Sequence, residues 1–161
     1  MAKLTVGRGI DDYIAQLGNL EFMTPTVIGR AVYEGAKIVA DQVHANIEAL
    51  PVSSKSGSQG RRNPTQVEKE GLLEGLGVAR MQDDGGYFNV KIGMDGYNAD
   101  ATDKYPKGKP NAMVARSIES GSTFMRRNPF ISNAVRQTKA AAEEAMREEV
   151  DKQISQIMGN G

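Results

Sequence analysis

The sequence predicts an α+β fold, and three observations lead there. Residues 24–50 and 128–159 repeat apolar side chains every three or four positions, the period of an amphipathic helix. Between them Phe88, Val90, Ile92 and Met94 alternate with Tyr87, Asn89 and Lys91, the period of a half-buried strand. The run Asp-Asp-Gly-Gly just before that strand supplies turn residues that tolerate positive φ, so the strand is one arm of a hairpin.

Taken in order, residues 1–23 form an N-terminal arm with a short helix over 10–17, stopped by Gly18. Thr24 then reads as an N-cap, with Pro25 at the first helical position, where a missing N–H is no loss. Ile28, Ala31, Val32, Gly35, Ile38, Val39, Val43, Ile47 and Leu50 trace one stripe, halted by Pro51. Residues 51–66 are rich in Ser and Gly and carry Lys55, Arg61 and Arg62 with no acid, which predicts an extended, flexible loop. A short helix over 67–76 leads into the hairpin, with arms at 78–82 and 87–94. Residues 95–110 form a second polar loop, bearing Lys104, Lys107 and Lys109, and residues 113–118 fit a helix and a strand equally.

Asn128 and Pro129 repeat the cap-plus-proline device, and Ile131, Val135, Ala142, Ala145, Met146, Val150, Ile154 and Ile157 continue a stripe to Gly159. A continuous helix here has roughly 30 residues and a length of about 45 Å. A compact chain of this size is only about 40 Å across. Such a rod overhangs a lone globule. A neighbouring copy is the simplest cover for its outer end at Ile154 and Ile157, and a frayed or bent end is the alternative.

Composition narrows function by exclusion. The 161 residues suit a single domain, and 39% hydrophobic content without Trp predicts an aliphatic, Met-filled core. Twenty basic and twenty acidic residues cancel, so electrostatic work falls to local patches. No cysteine is present, which removes disulfides, thiolate zinc sites and cysteine nucleophiles. Neither a signal-type apolar segment nor a membrane-length run appears, so the chain reads as soluble and made inside a cell.

His44, the only histidine, lies within the first helix and reads as a surface or packing residue. Asp11–Asp12 and Asp83–Asp84 are explained by a helix start and a hairpin turn. Glu143, Glu144, Glu148 and Glu149 stand among basic residues as a solvated face. The glycines of VGRGIDD and GLLEGLG lack phosphate-loop spacing and read as turn glycines. Asp95, Asp100 and Asp103 lack the terminal Glu of a calcium loop. No catalytic, metal-binding or cofactor-binding residue is assigned, and an enzyme is not expected.

The stretch IESGSTFMRRNPF is the most informative. Ser120, Gly121 and Ser122 break the preceding element, Pro129 starts the long helix, and Phe130 and Ile131 anchor its first turn. Arg126 and Arg127 sit on the link between, as partners for carboxylate or phosphate or as plain solvated charge. ARSIESGSTFMRRNPFISNAV resembles the signature of the small tail-completion, or head–tail joining, proteins of lambda-like long-tailed bacteriophages. The resemblance falls on Ala115, Glu119, Gly121, Ser122, Pro129, Phe130, Ile131 and Ala134. Ser120 stands where that family usually has an aromatic, and the two loops are longer than its norm.

The resemblance covers most of residues 24–157 and implies a small antiparallel sheet flanked by the two long helices. It implies a ring of identical subunits, commonly a hexamer, in the neck of a virion assembled in the host cytoplasm. Such proteins are similar in having no cofactor and no membrane contact. They touch adaptor, stopper or tail-tube proteins, and genomic DNA passes through their channel. On this reading the signature residues, with Arg126, Arg127, Ile154 and Ile157, form subunit contacts. Lys55, Arg61, Arg62, Lys104, Lys107 and Lys109 would face the channel or a neighbouring ring. The alternative is a small nucleic-acid-binding module using Lys55, Arg61, Arg62, Arg126 and Arg127.

Overall fold

The computed structural model describes residues 2–5, 24–54 and 60–159. Along them run β1 (Ala2–Thr5), α1 (Thr24–Glu48), α2 (Gln66–Gly75), β2 (Leu76–Val78), β3 (Gln82–Asp83), β4 (Phe88–Met94), α3 (Asn111–Ser120) and α4 (Phe130–Gly159). The α+β class, the two long helices and the hairpin are as the sequence predicts. The helix expected over 10–17 and Lys55 lie outside the described residues.

Helices α1 and α4 are antiparallel rods packed along each other. Asn46 Nδ2 donates to the Phe130 carbonyl at 2.9 Å at one end, and Arg30 Nη1 donates to Gln153 Oε1 at 2.8 Å at the other. The main core joins Ile28, Val32, Ala36, Val39, Val43 and Ile47 of α1 to Phe130, Ile131, Ala134 and Ala142 of α4 and to the apolar face of β4. Towards the far end Val27 and Ala31 meet Met146 and Val150 in a second cluster, with Ile154 packed against it.

This alters the expectation for the long helix. Its stripe as far as Ile154 is covered by α1 of the same chain, because α1, at 25 residues, is itself a rod of comparable length. Close approach is helped by Gly35, where a Cβ would lie 2.8 Å from Met146 Cγ. Thr138, buried within the same stripe, satisfies its hydroxyl on the Ala134 carbonyl at 2.7 Å.

Strand β4 is the centre of an antiparallel sheet. Leu4 of β1 pairs with Val90, and Val78 of β2 pairs with Ile92 on the opposite edge. Beyond β2 the register slips by one residue, since Val78 opposes Ile92 but Gln82 of β3 opposes Asn89. The hairpin's first arm is therefore not one strand over 78–82 but two short pieces around a bulge. The bulge turns Met81 towards α1, where its N–H donates to the Tyr33 hydroxyl at 2.8 Å. The turn at Gly85 and Gly86, with φ of 71° and 93°, is the predicted one. Asp83 Oδ1 accepts from the Gly86 N–H there.

Two further readings change. Residues 113–118 are helical, within α3. Gly71 is not a turn glycine but lies inside α2, and a Cβ on it would meet Asn111 Oδ1 and Asn98 Cβ, each at 2.6 Å. The bare helix face lets the neck of the 95–110 loop lie flush on α2. Asn98 holds that neck by donating its N–H to the Lys109 carbonyl and accepting the Lys109 N–H on Oδ1, both at 3.0 Å.

Candidate functional site

The link between α3 and α4 begins at Gly121, whose φ of 75° ends α3. A Cβ there would also stand 2.9 Å from Arg127 Cβ, so the position suits glycine on two counts. Ser122 then closes a tight loop. Its N–H donates to the Met125 carbonyl at 3.0 Å, and its Oγ accepts the N–H of Met125 at 3.0 Å and of Phe124 at 3.3 Å. Met125 is buried in the main core, while Phe124 stands 75% exposed at the tip. Asn128 N–H returns to the Ile118 carbonyl at 2.7 Å, fastening the end of the link to α3.

A helix start leaves its first N–H groups without intrahelical partners. Here Glu119 supplies them from α3. Its carboxylate accepts the N–H of Ile131 at 2.8 Å and of Ser132 at 2.9 Å, and also the Ser132 hydroxyl. The acid also suits the positive end of the α4 dipole. So the signature residues Glu119, Gly121 and Ser122 build the junction, and Phe130, Ile131 and Ala134 are buried beneath it with Pro129 half-buried.

The link is tied on its other side to residues 60–65. Arg62 N–H donates to the Phe124 carbonyl at 2.9 Å, and Arg126 N–H to the Arg62 carbonyl at 2.8 Å. Arg126 Nε donates to the Arg61 carbonyl at 3.1 Å. The Arg62 side chain turns inward to Glu68, which is 1% exposed, with Nη1–Oε2 at 2.7 Å and Nη2–Oε1 at 2.8 Å. Lys109 adds Nζ–Oε1 at 3.2 Å and reaches Asp100 Oδ2 at 2.7 Å. Glu68 also accepts the Thr65 N–H at 2.9 Å, completing a capping box with Thr65 Oγ1 at the start of α2.

Burial pushes the Glu68 carboxyl up, but the Arg62 hydrogen bonds, the Thr65 N–H and Lys109 outweigh it and hold the group at about 2. Arg62 is raised by its hydrogen bonds to Glu68. For Lys109 burial lowers the ammonium, and the bonds to Asp100 and Glu68 more than reverse that, so it too is raised.

The sequence-assigned cations thus separate into two sets. Arg62 and Lys109 are engaged within the subunit. Arg61, Arg126, Arg127, Lys104 and Lys107 are exposed, with Lys104 Nζ 5.5 Å from the Tyr105 ring centroid. The nucleic-acid reading loses Arg62 from its set. Ile154 lies against α1, and the side chain of Ile157 is outside the described residues. His44 is exposed, 3.7 Å from Glu48.

Glu68 was missed in the sequence, although its signal was there: Thr-x-x-Glu ahead of an apolar run is a capping box. A pocket of about 310 Å³ lies beside the junction, lined among others by Met94, Ala112, Ala115, Arg116, Ser120 and Ile131. Among the described residues, no His, Asp and Glu side chains cluster as a metal site, and no helix is long and apolar enough to cross a membrane. No family model, curated protein or solved structure matches the chain.

Proposed function

We propose that this chain is a structural subunit of the head–tail junction of a long-tailed bacteriophage. In this reading copies form a ring that caps the tail tube, joins the head and leaves a channel for DNA. The observation that carries it is the segment from Glu119 to Ile131. It resembles the tail-completion signature, and its residues form a braced helix–helix junction that holds Phe124, Arg126 and Arg127 at the surface. A junction built this way presents side chains to another body without rearranging, as a protein that works by assembly needs to.

The test uses the whole protein. Negative-stain images should show closed rings, and added protein should restore joining of separately prepared heads and tails that lack it. A chain that stays monomeric at every concentration, or one that leaves joining unchanged, overturns the proposal.

A further inference from the structure

We infer that the subunit binds a second copy of itself head to tail, Phe124 and the arginines beside it seating on the acidic half of the neighbour's α4. This rests on the ring reading above and supplies its contact.

The first support is charge segregation. Residues 121–141 carry Arg126, Arg127, Arg136 and Lys139 and no acid, whereas residues 142–152 carry Glu143, Glu144, Glu148, Glu149 and Asp151 against Arg147 and Lys152. Those two cations pair with acids of the same run, Arg147 with Glu144 at 2.8 Å and Lys152 with Glu149 at 3.9 Å, so five acids against two cations leave an excess of three. Glu144, Glu148 and Asp151 are exposed and follow at steps of four and three, so they form one stripe on the solvent side of α4. The exposed Ala141, three residues before Glu144, gives that stripe a small apolar border.

Second, the patch at Phe124, Arg126 and Arg127 cannot pair with the stripe within one chain, although Lys139, five residues before Glu144, stands nearer to it. At 1.5 Å per residue the stripe begins roughly 20 Å along α4 from Phe130, well past a Debye length of about 8 Å. A straight helix holds them apart.

Third, the basic end is built as an anchor. An aromatic ring that is 75% exposed stands among cations on a loop pinned by Ser122 and by the Arg62 backbone. A rigid apolar centre with a charged rim is the usual anatomy of a contact surface. Arg126 spends Nε on the Arg61 carbonyl, which leaves its terminal nitrogens for a carboxylate. Because patch and stripe are different surfaces, the contact is heterologous, and repeating it closes into a ring when the rotation allows.

The experiment reverses each side. One variant carries Arg126→Glu and Arg127→Glu, the other Glu144→Lys and Glu148→Lys, all at exposed positions. In sedimentation velocity each alone should self-associate at least ~10-fold more weakly than the unmodified chain. An equimolar mixture should recover association, since each new acidic patch then meets a new basic stripe. Association of the unmodified chain should also weaken as salt rises, a readout that needs no variant.

Association unaffected by either reversal, no recovery on mixing, or no salt dependence overturns the inference. Rings that form equally well from both variants sink it while the head–tail reading stands. Charge-swapped recovery without any restored head–tail joining does the opposite.

Discussion

Glu119 joins two helices with one side chain, and a substitution there tests the junction directly. Glu119→Ala leaves the Ile131 and Ser132 N–H groups without their cap, and loss of a cap costs about 1–2 kcal/mol. A urea midpoint unchanged by that substitution would show the cap to be idle.

Glu68 makes a second prediction, in pH. Its folded value of about 2 lies below its ordinary 4.5, so its pairing stabilises the fold above 4.5 and is lost as pH falls through 2. The shift is worth on the order of 3 kcal/mol. Urea unfolding should change little from this group between neutral pH and about pH 5, then lose stability steeply below. Glu68→Gln should lower stability at neutral pH by about 3 kcal/mol, the low end for breaking a buried pair, because Arg62 and Lys109 keep some solvent. It should also flatten the acid limb. Glu119 stood in the signature stretch and Glu68 in a Thr-x-x-Glu capping pattern, but beyond Thr65 their partners were not legible in the sequence. Arg62 stands six residues from Glu68 and Lys109 forty-one, and Glu119 is twelve before Ile131.

At the scale of elements, small residues set where helices touch. Gly71→Ala would gain about 1 kcal/mol of helix propensity. It would also force a Cβ to within 3.2 Å of the Asn98 backbone, where nothing flexible can yield. Overpacking of that kind costs roughly 1–3 kcal/mol, so the variant should be less stable. Gly29→Ala meets only the Met81 side-chain end at 3.1–3.2 Å, and the gain and the strain should nearly cancel. Thermal unfolding of the two variants side by side decides the point, and equal melting temperatures would refute it.

The same scale explains why α3 was ambiguous in the sequence. Its inward positions are Asn111, Val114, Ala115 and Ile118, spaced by three, one and three. Val114, Ala115 and Ile118 alone make too short a run to exclude a strand, and the polar Asn111, buried through its bond to the Asp95 carbonyl at 2.8 Å, adds the turn that extends the helical period. The hairpin bulge was hidden for a related reason: a register slip is a property of two strands, and the pattern of either alone does not change.

For the whole molecule the decisive contact is that of α1 with α4. Ile154 belongs to the second cluster with Val27, Ala31, Met146 and Val150, so Ile154→Asp should destabilise the subunit itself by about 1–3 kcal/mol. Sedimentation and melting together check this, since an Asp variant that melts like the unmodified chain would place Ile154 outside the fold. The acidic stripe of α4 lies on the solvent side, away from that seam, which leaves it open for the neighbour proposed above.

What the sequence determined by itself was every feature carried by local periodicity. Both rods, the inward face of β4, the Gly85–Gly86 turn and the break at Gly121 follow from spacing and from backbone preferences that neighbours along the chain dictate. Only the tertiary structure decided which surfaces cover which. It assigned α1 rather than another copy to the stripe of α4 as far as Ile154, and it drew Arg62 and Lys109 inward while leaving Phe124 outside. The reason is physical: burial and charge pairing depend on groups brought close from far along the chain, and local spacing carries no record of that distance.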